Sequence, residues 1–412
     1  MPKGDVAIIL AGGFDQIALI QELSFRGFYT VLVDYLEAPV AAPYADVHIR
    51  ESTLDVDAVF DIAMNFNAKY VMTACTDQAL LTAAMVSERL DLPFYLDSKT
   101  ARMVTDKTLM KTVMSDSDIP TSRYVVINSG DDIVESLRSL RLPLVVKPAD
   151  CNSSKGVVKV HKFYEAYEAI ESARWLSRTG GVIAEEFVDG RELSIDAWVN
   201  SGSADILCIS ESSKCSIDGS FTITGSKSIS AQQVAVYAEA ERIANMIISA
   251  FGLVGGPLLI QAIQCPDGSL SVIEFSARMG GGTKYHLIDC VAGVSIIKSY
   301  VDFLLGDSDL HLKPRYHDKC FEMSYLYTNG GGLASFKGFD TALSEDLIDS
   351  YFIYRAVGSE FDSRSNSGDR AAGIMLCANT DSELQKLKQR AFEMIDLIDI
   401  RGHSMLCREM LS

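Results

Sequence analysis

No stretch of about 18 uninterrupted apolar residues occurs in the chain, which argues against a membrane-spanning helix. The start, Met1 to Leu10, runs straight into a strand pattern without a basic segment or a small-residue cleavage site. A soluble, cytoplasmic protein is therefore expected. Nine cysteines include no CxxC pair. Cys75, Cys208, Cys290 and Cys377 sit within or beside apolar runs, as reduced core cysteines do, so neither a zinc nor a disulfide framework is expected. Basic residues are short: 37 against 55 acids, a net charge of −18. Most of the surface should repel a phosphate backbone or an anionic membrane, which leaves room only for a local basic site. Internal repeats, low-complexity linkers, a Walker-type phosphate loop and a convincing Cys/His or Ser/His constellation are missing too.

What is present is hydrophobic residue, 48% over 412 positions, enough for roughly two to four compact units. Short β-branched runs alternate with helical patterns through the first hundred residues: Val6 to Leu10, Ile17 to Arg26, Thr30 to Asp34, Val56 to Asn65, Tyr70 to Ala74 and Gln78 to Leu90. That alternation predicts a doubly wound parallel sheet. Gly12 and Gly13 end the first strand and Asp34 the second, about 20 residues on, but the loop lacks the third glycine of a dinucleotide fingerprint. A helical stretch follows from Ser98 to Ser115, with a boundary near Ser98. Beyond Pro143 the pattern becomes paired strands: Leu144 to Lys147 with Gly156 to Val160, and Val182 to Phe187 with Glu192 to Val199 across Asp189-Gly190, both read as antiparallel hairpins. A long helix is expected over Gln232 to Phe251, and a closing one from Ser382 to Ile400.

The hairpin around Asp267-Gly268 bears the most chemistry. If those two residues form the turn, Gln261 faces Glu274 and Ile263 faces Val272. Strand alternation then puts Glu274, Ser276 and Arg278 on the face of Gln261. A carboxylate with neutral oxygens suits Mg²⁺, and a nearby guanidinium suits a transferring phosphoryl group. On a solvated face the same residues would make only a cross-strand polar network. Lys147 ends a buried-looking strand before Cys151-Asn152-Ser153-Ser154-Lys155-Gly156, whose small residues and lysine could wrap phosphate; an exposed hairpin tip is the plainer alternative. In Glu185-Glu186-Phe187-Val188-Asp189-Gly190-Arg191-Glu192, extended backbone could meet an adenine edge and Glu192 a ribose, although a surface acidic hairpin would read alike.

In order and spacing these pieces resemble the ATP-grasp superfamily, in particular the branch with the carbamoyl phosphate synthetase large chain and the amino acid ligases. The resemblance runs from Asp106-Lys107, with Lys111, through Leu144-Val145-Val146-Lys147-Pro148 to Glu274-Phe275-Ser276-Ala277-Arg278. It implies an α/β chain, α+β in part. A Rossmann-like pre-ATP-grasp domain would span 1–97, a small lobe with linker helix 98–190, a large lobe 191–309, and a carboxy-terminal α+β extension 310–412. By position, Lys107 and Lys147 match the lysines that hold ATP phosphates, and Ser153, Ser154 and Gly156 the phosphate-covering loop. Glu185, Glu186 and Val188 match the adenine hinge, Glu192 the ribose acid, Gln261, Glu274 and Ser276 the Mg²⁺ ligands, and Arg278 the arginine that steadies an acyl phosphate. Lys214 is a further catalytic candidate. Ser276 stands where the family pattern has asparagine, and Gln261 is neutral.

The resemblance implies ATP and Mg²⁺, with Mn²⁺ as a substitute ion, and small-molecule carboxylate and amine substrates joined through an acyl phosphate. Alternatives are an enzyme phosphorylating bicarbonate or carbamate, and a nucleotide sensor with a degenerate metal site. Neither nucleic acid nor membrane is an expected partner, and a homodimer stays open. Gly280, Gly281, Gly282 and Thr283 form the candidate substrate loop. Lys284 and His286 after it fit a solvated lysine and a packed histidine as well as a catalytic role. Asp77, Gln78, the loop Ala11 to Phe14 and Asp369-Arg370 could reach the same cleft, although a helix cap or tight turn explains Asp77 and Gly12 as readily.

Overall fold

The computed structural model describes residues 4–151, 155–215, 222–307, 310–362 and 366–411. The predicted alternation at the amino terminus forms β1 (Val6–Leu10), α1 (Gln16–Phe25), β2 (Tyr29–Asp34), β3 (Val47–Arg50), α2 (Val56–Asn65), β4 (Tyr70–Met72) and α3 (Asp77–Leu90). The strands are parallel in the order β3-β2-β1-β4. All five residues of β1 are buried, as expected of a strand covered on both faces. The edge strand β3, half-exposed and only four residues long, has too weak an alternation to stand out in the sequence. Gly12 N–H donates to the Asp34 carboxylate at 2.6 Å, and a Cβ on Gly12 would lie 2.4 Å from that of Pro39. The Gly/Asp pair is thus an internal brace, with the Asp34 side chain also accepting from Leu36 N–H.

The helical stretch expected over 98–115 is two helices, α4 (Ser98–Thr105) and α5 (Lys107–Asp116). Asp106 breaks it by leaving helical geometry and capping α5, its side chain accepting from the Thr108 and Leu109 N–H groups. A four-stranded antiparallel sheet follows, built from β5 (Tyr124–Ile127), β6 (Leu144–Pro148), β7 (Val158–Val160) and β8 (Val182–Glu186) in the order β5-β8-β6-β7. Helices α6 (Ile133–Leu137) and α7 (Phe163–Leu176) close its separate core around Ile127, Val146, Ile170 and Val182.

The largest sheet begins with β9 (Arg191–Asn200), β10 (Ser203–Cys215) and β11 (Thr222–Ser228), is backed by α8 (Val234–Phe251), and continues with β12 (Gly255–Gln264) and β13 (Leu270–Ser276). Buried α8 residues Val236, Ala240, Ile243, Ala244, Ile247 and Phe251 recur at helical spacing, each large one contributing about 1.5–3 kcal/mol by burial. Gly252, at φ 65°, ends the helix. After α9 (Lys284–Ala292) and α10 (Ile296–Leu304) come β14 (Cys320–Leu326), β15 (Gly331–Lys337), α11 (Phe339–Ser344), β16 (Ser350–Ile353), β17 (Glu360–Phe361), β18 (Ala372–Ala378), α12 (Asp381–Met394) and β19 (Asp396–Asp399). The sheet order is β13-β12-β9-β10-β11-β14-β18-β16, so residue 310 falls between strands of one sheet. A three-stranded sheet, β17-β15-β19, completes the fold.

Three sequence readings are corrected. Val182–Glu186 and Arg191–Asn200 are not a hairpin: β8 and β9 lie in different sheets, and the residues between them cross from one lobe to the other. Gly190 makes that crossing fit, since its φ is 152° and a Cβ would lie 2.2 Å from the Gln264 carbonyl. The last helix stops at Met394, where the chain turns into β19 and pairs with β15. The Asp267-Gly268 hairpin closes by a turn from Cys265 to Gly268, with Gly268 N–H donating to Cys265 O at 2.9 Å and Gly268 at φ 88°. That shifts the register by one, so Val272 faces Ala262 and not Ile263; an irregularity after Gln261 shifts it back and leaves Gln261 opposite Glu274.

Candidate functional site

The small-lobe sheet and the largest sheet face each other across a cleft that encloses about 440 Å³. Val145 and Val157 form its roof, Phe187 and Val188 its back, and Ile263 and Val272 part of its floor. Such apolar walls with sparse polar groups suit a flat heterocycle. Lys159 lies 3.3 Å from the centroid of the Phe187 ring, which fixes the linker against the small lobe. At one end Lys214 donates to Glu192. Lys107 and Lys147 line the same space. A second cavity of about 680 Å³ shares Ser212, Gln261 and Glu274 with the first and runs past Arg278 to the glycine turn.

A buried charge cluster holds the lysines. Glu185 accepts from Lys147 at 2.6 Å and Lys111 at 2.8 Å, while Ser122 donates to it at 2.9 Å. Burial alone would raise the Glu185 carboxyl, but Lys147 and Lys111 outweigh it and hold the group well below the usual carboxylate range. Lys111 is itself pushed down by burial, against the pull of Glu185. The Glu185 side chain is thus committed to these lysines. The Glu186 carboxylate accepts from Arg141 N–H at 3.0 Å, and Glu185 and Glu186 both border the cavity.

On β13, Glu274 pairs with Lys107 at 2.8 Å, and Lys107 also donates to Cys151 O at 2.8 Å. Burial would raise Glu274, yet Lys107 and Lys147 bring it down to about 2, so it is ionised at neutral pH. Gln261 and Glu274 are the carbonyl and carboxylate on the wall common to both cavities. Two oxygen donors beside space for phosphate fit a hard divalent cation that keeps water and phosphate ligands. Ser276 is otherwise engaged: it is buried, donates to Asp77 and lines neither cavity. Asp77, the first residue of α3, also takes Arg278 in a two-pronged pair, Nε to Oδ1 at 2.8 Å and Nη2 to Oδ2 at 2.5 Å. The amino-terminal domain therefore orients the arginine of the large lobe.

Beyond Arg278 the turn is pinned from the same domain. Asp15 accepts from Gly282 N–H at 2.9 Å and Thr283 N–H at 2.7 Å, and Thr283, at φ 62°, hydrogen-bonds the Tyr354 hydroxyl at 2.6 Å. Lys284 is buried, not solvated, and donates to Ser210. His286 packs against Phe352 and pairs with Ser350 at 3.1 Å, outside both cavities. It forms a group with Cys290 and Asp349 whose sulfur and nitrogen donors do not suit Mg²⁺.

The structure thus gathers Lys107, Lys147, Glu185, Glu186, Val188, Glu192, Lys214, Gln261 and Glu274 around the first cavity, and Arg278, Gly280 and Gly281 along the second. Gly282 and Thr283 complete the turn through their bonds to Asp15. Gly156, at φ 73°, is packed against Leu176 and Pro148, while Ser153 and Ser154 lie outside the described residues. Three participants had little or no signal of their own. Asp77 reads as a helix cap, Asp15 looks like a turn residue, and Lys111 stands in the Asp106-Lys107 segment with no role of its own; only the position of Asp77 and Asp15 after the ends of parallel strands hints at a site.

Residues 105–281 match the family model described as phosphoribosylglycinamide synthetase, ATP-grasp (A) domain. The chain is 24% identical over 366 residues to an L-arginine-specific L-amino acid ligase of Bacillus subtilis, covering 85% of this chain and 86% of that one. It is 26% identical over 316 residues to a phosphoribosylamine–glycine ligase of Methanobrevibacter smithii, covering 71% of each. In fold it is similar to an L-amino acid ligase from Bacillus licheniformis, with a TM-score of 0.81, 18% identity and coverage of 97% of this chain and 100% of that one.

Proposed function

Because this chain belongs to the ATP-grasp superfamily of ligases, we propose that it is an ATP-dependent carboxylate–amine ligase that joins two small substrates through an amide or peptide bond. The observation that carries this reading is the meeting of two cavities at Gln261 and Glu274, with Arg278 lining the second. ATP fits the first: apolar walls for the base, Glu192 for the ribose, Lys107 and Lys147 for the phosphates. Gln261 and Glu274 would hold Mg²⁺, which when bound neutralises phosphate charge.

In the reaction a carboxylate oxygen forms a bond to the γ-phosphorus as the bond to the β-phosphate oxygen breaks and ADP leaves. The amine nitrogen then attacks the acyl carbon, the acyl–oxygen bond breaks, and inorganic phosphate departs as the amine loses a proton. Lys107 and Lys147 hold the phosphates in place, and Arg278, fixed by Asp77, stabilises the oxyanion and the leaving phosphate. None of these steps needs an activated serine or cysteine. That two relatives bear the names of ligases acting on arginine and on glycine favours an amino acid as one substrate.

The test is phosphate release from ATP and Mg²⁺ with L-amino acids supplied singly and in pairs, alongside small mono- and dicarboxylic acids with amines. Turnover should require both a carboxylate and an amine. Glu274→Gln should reduce it by about 100-fold or more, the loss expected when a developing charge loses its stabilising group, and should shift the Mg²⁺ dependence. Full activity in that variant with an unchanged Mg²⁺ midpoint would remove the hairpin from the mechanism.

A further inference from the structure

The second cavity holds more positive charge than its own acids balance. Three acids line it, and each is paired: Asp77 with Arg278, Asp150 with Arg178, and Glu274 with Lys107. Lys155, Lys284 and Arg370 line the same space and make no carboxylate contact among the described residues. In a chain of net charge −18 such a local surplus marks an anion site. Lys155 follows the candidate phosphate loop. Lys284 donates to Ser210 and lies in the field of Asp196, a buried carboxylate whose two oxygens lack hydrogen bonds among the described residues. Arg370 donates one bond to a tyrosine hydroxyl and has no carboxylate in contact among the described residues. Asp15 is within electrostatic reach, but its oxygens are taken by the Gly282 and Thr283 N–H groups.

Arg370 is also held from behind. Its guanidinium carbon lies 3.7 Å from the centroid of the Tyr325 ring, and its Nε donates to the Tyr327 hydroxyl at 3.3 Å. Tyr325 is anchored in turn by donating to Gly282 O at 2.8 Å. Both Nη groups lack an acceptor among the described residues. The fork has its place because residue 282 has no side chain: a Cβ there would lie 2.3 Å from Arg370 Nη1 and 2.8 Å from the Tyr325 hydroxyl. A stacked, fixed guanidinium with two free amino groups matches a planar carboxylate. Leaving it unanswered in a partly buried site is costly unless a ligand supplies the charge.

We propose that Arg370 is the seat of a carboxylate that the reaction does not activate, so that at least one substrate has an anionic end besides the reacting group. This rests on the ligase reading above. The activated carboxylate belongs beside Glu274 and Arg278, where the two cavities join, whereas Arg370 comes from the carboxy-terminal region across the glycine turn. The second carboxylate is either the far end of a dicarboxylic acid substrate or the α-carboxylate of an amino acid acceptor.

Binding is measured first, without turnover. Protein saturated with MgADP is titrated calorimetrically with succinate, L-glutamate and L-alanine, and with L-alaninamide, which lacks the carboxylate. At least one carboxylate should bind the native protein saturably. Arg370→Gln should weaken it by about 10- to 100-fold, the worth of hydrogen bonds to a charged group, and Arg370→Lys should recover part of the loss. MgADP affinity, unchanged in both variants, shows that they are folded. Succinate as the binder assigns the site to the acid substrate, and L-alanine binding in preference to L-alaninamide assigns it to the acceptor. Equal carboxylate binding by native protein and Arg370→Gln overturns the proposal, as does failure of all three carboxylates to bind. In turnover, Arg370→Gln should raise KM for the carboxylate-bearing partner far more than it lowers kcat. Carboxylate binding at Arg370 in a protein that never releases phosphate from ATP would leave this site standing and defeat the ligase reading alone.

Discussion

Replacing Glu185 by glutamine tests the charge cluster under the first cavity. The three side chains of the cluster are nearly sealed from solvent, Lys111 2% exposed, Lys147 5% and Glu185 7%. Glutamine keeps the shape and removes the carboxylate charge that the two buried ammonium groups share. Breaking a buried pair by removing one partner costs about 3–5 kcal/mol. At about 1.4 kcal/mol per decade, amide protons of β6 and β8 should exchange roughly two to nearly four orders of magnitude faster, as read by hydrogen-exchange mass spectrometry. Lys111→Met leaves the Lys147–Glu185 pair intact and should cost less. The pH dependence has a definite sign. Glu185 titrates lower in the folded protein than in the unfolded chain, so its contribution is fully present above the unfolded value of about 4.3. It is lost as pH falls through the lower folded value. The native protein should lose protection in β6 and β8 below about pH 4, and Glu185→Gln should lack that part of the decline. Protection within tenfold of native in Glu185→Gln, or a larger loss in Lys111→Met, would refute the reasoning.

Asp77→Asn should lower kcat for phosphate release by about 10- to 100-fold while ATP KM changes little, because Arg278 loses the charge that orients it; steady-state kinetics with unchanged kcat would show that Arg278 needs no such support. Gly190→Ala forces a Cβ to 2.2 Å from the Gln264 carbonyl, and that carbonyl cannot yield without disturbing the β9–β12 register. A stability loss of about 2 kcal/mol or more is expected, with weaker MgADP binding because the crossing residues line the cavity proposed for the nucleotide. Native denaturant midpoint and native affinity together would contradict it.

Much of the site was legible because its signals are local. Apolar β1 and α8 follow directly from side-chain periodicity, and Gln261 opposite Glu274 follows from turn arithmetic. That pairing held for a reason the arithmetic did not contain: the longer turn at Gly268 and the irregularity beyond Gln261 cancel. Where no cancellation occurred, at Val272, the predicted partner was wrong. The supposed hairpin of residues 182–199 failed because two strands joined by a glycine turn look alike whether they pair with each other or part into two sheets.

By itself the sequence determined the parallel amino-terminal sheet, the order of the candidate phosphate, hinge and metal segments, and the charges they carry. These depend on residue type and short spacing, which the chain carries wherever it goes. Tertiary structure alone decided that Ser276 and Arg278 answer to Asp77, that Lys111 and Lys147 share Glu185, that Asp15 pins the glycine turn, and that Arg370 lines the second cavity with no carboxylate in contact among the described residues. Those contacts join residues far apart in the chain, and a charge shows its partner, or its lack of one, only when the cavity around it has closed.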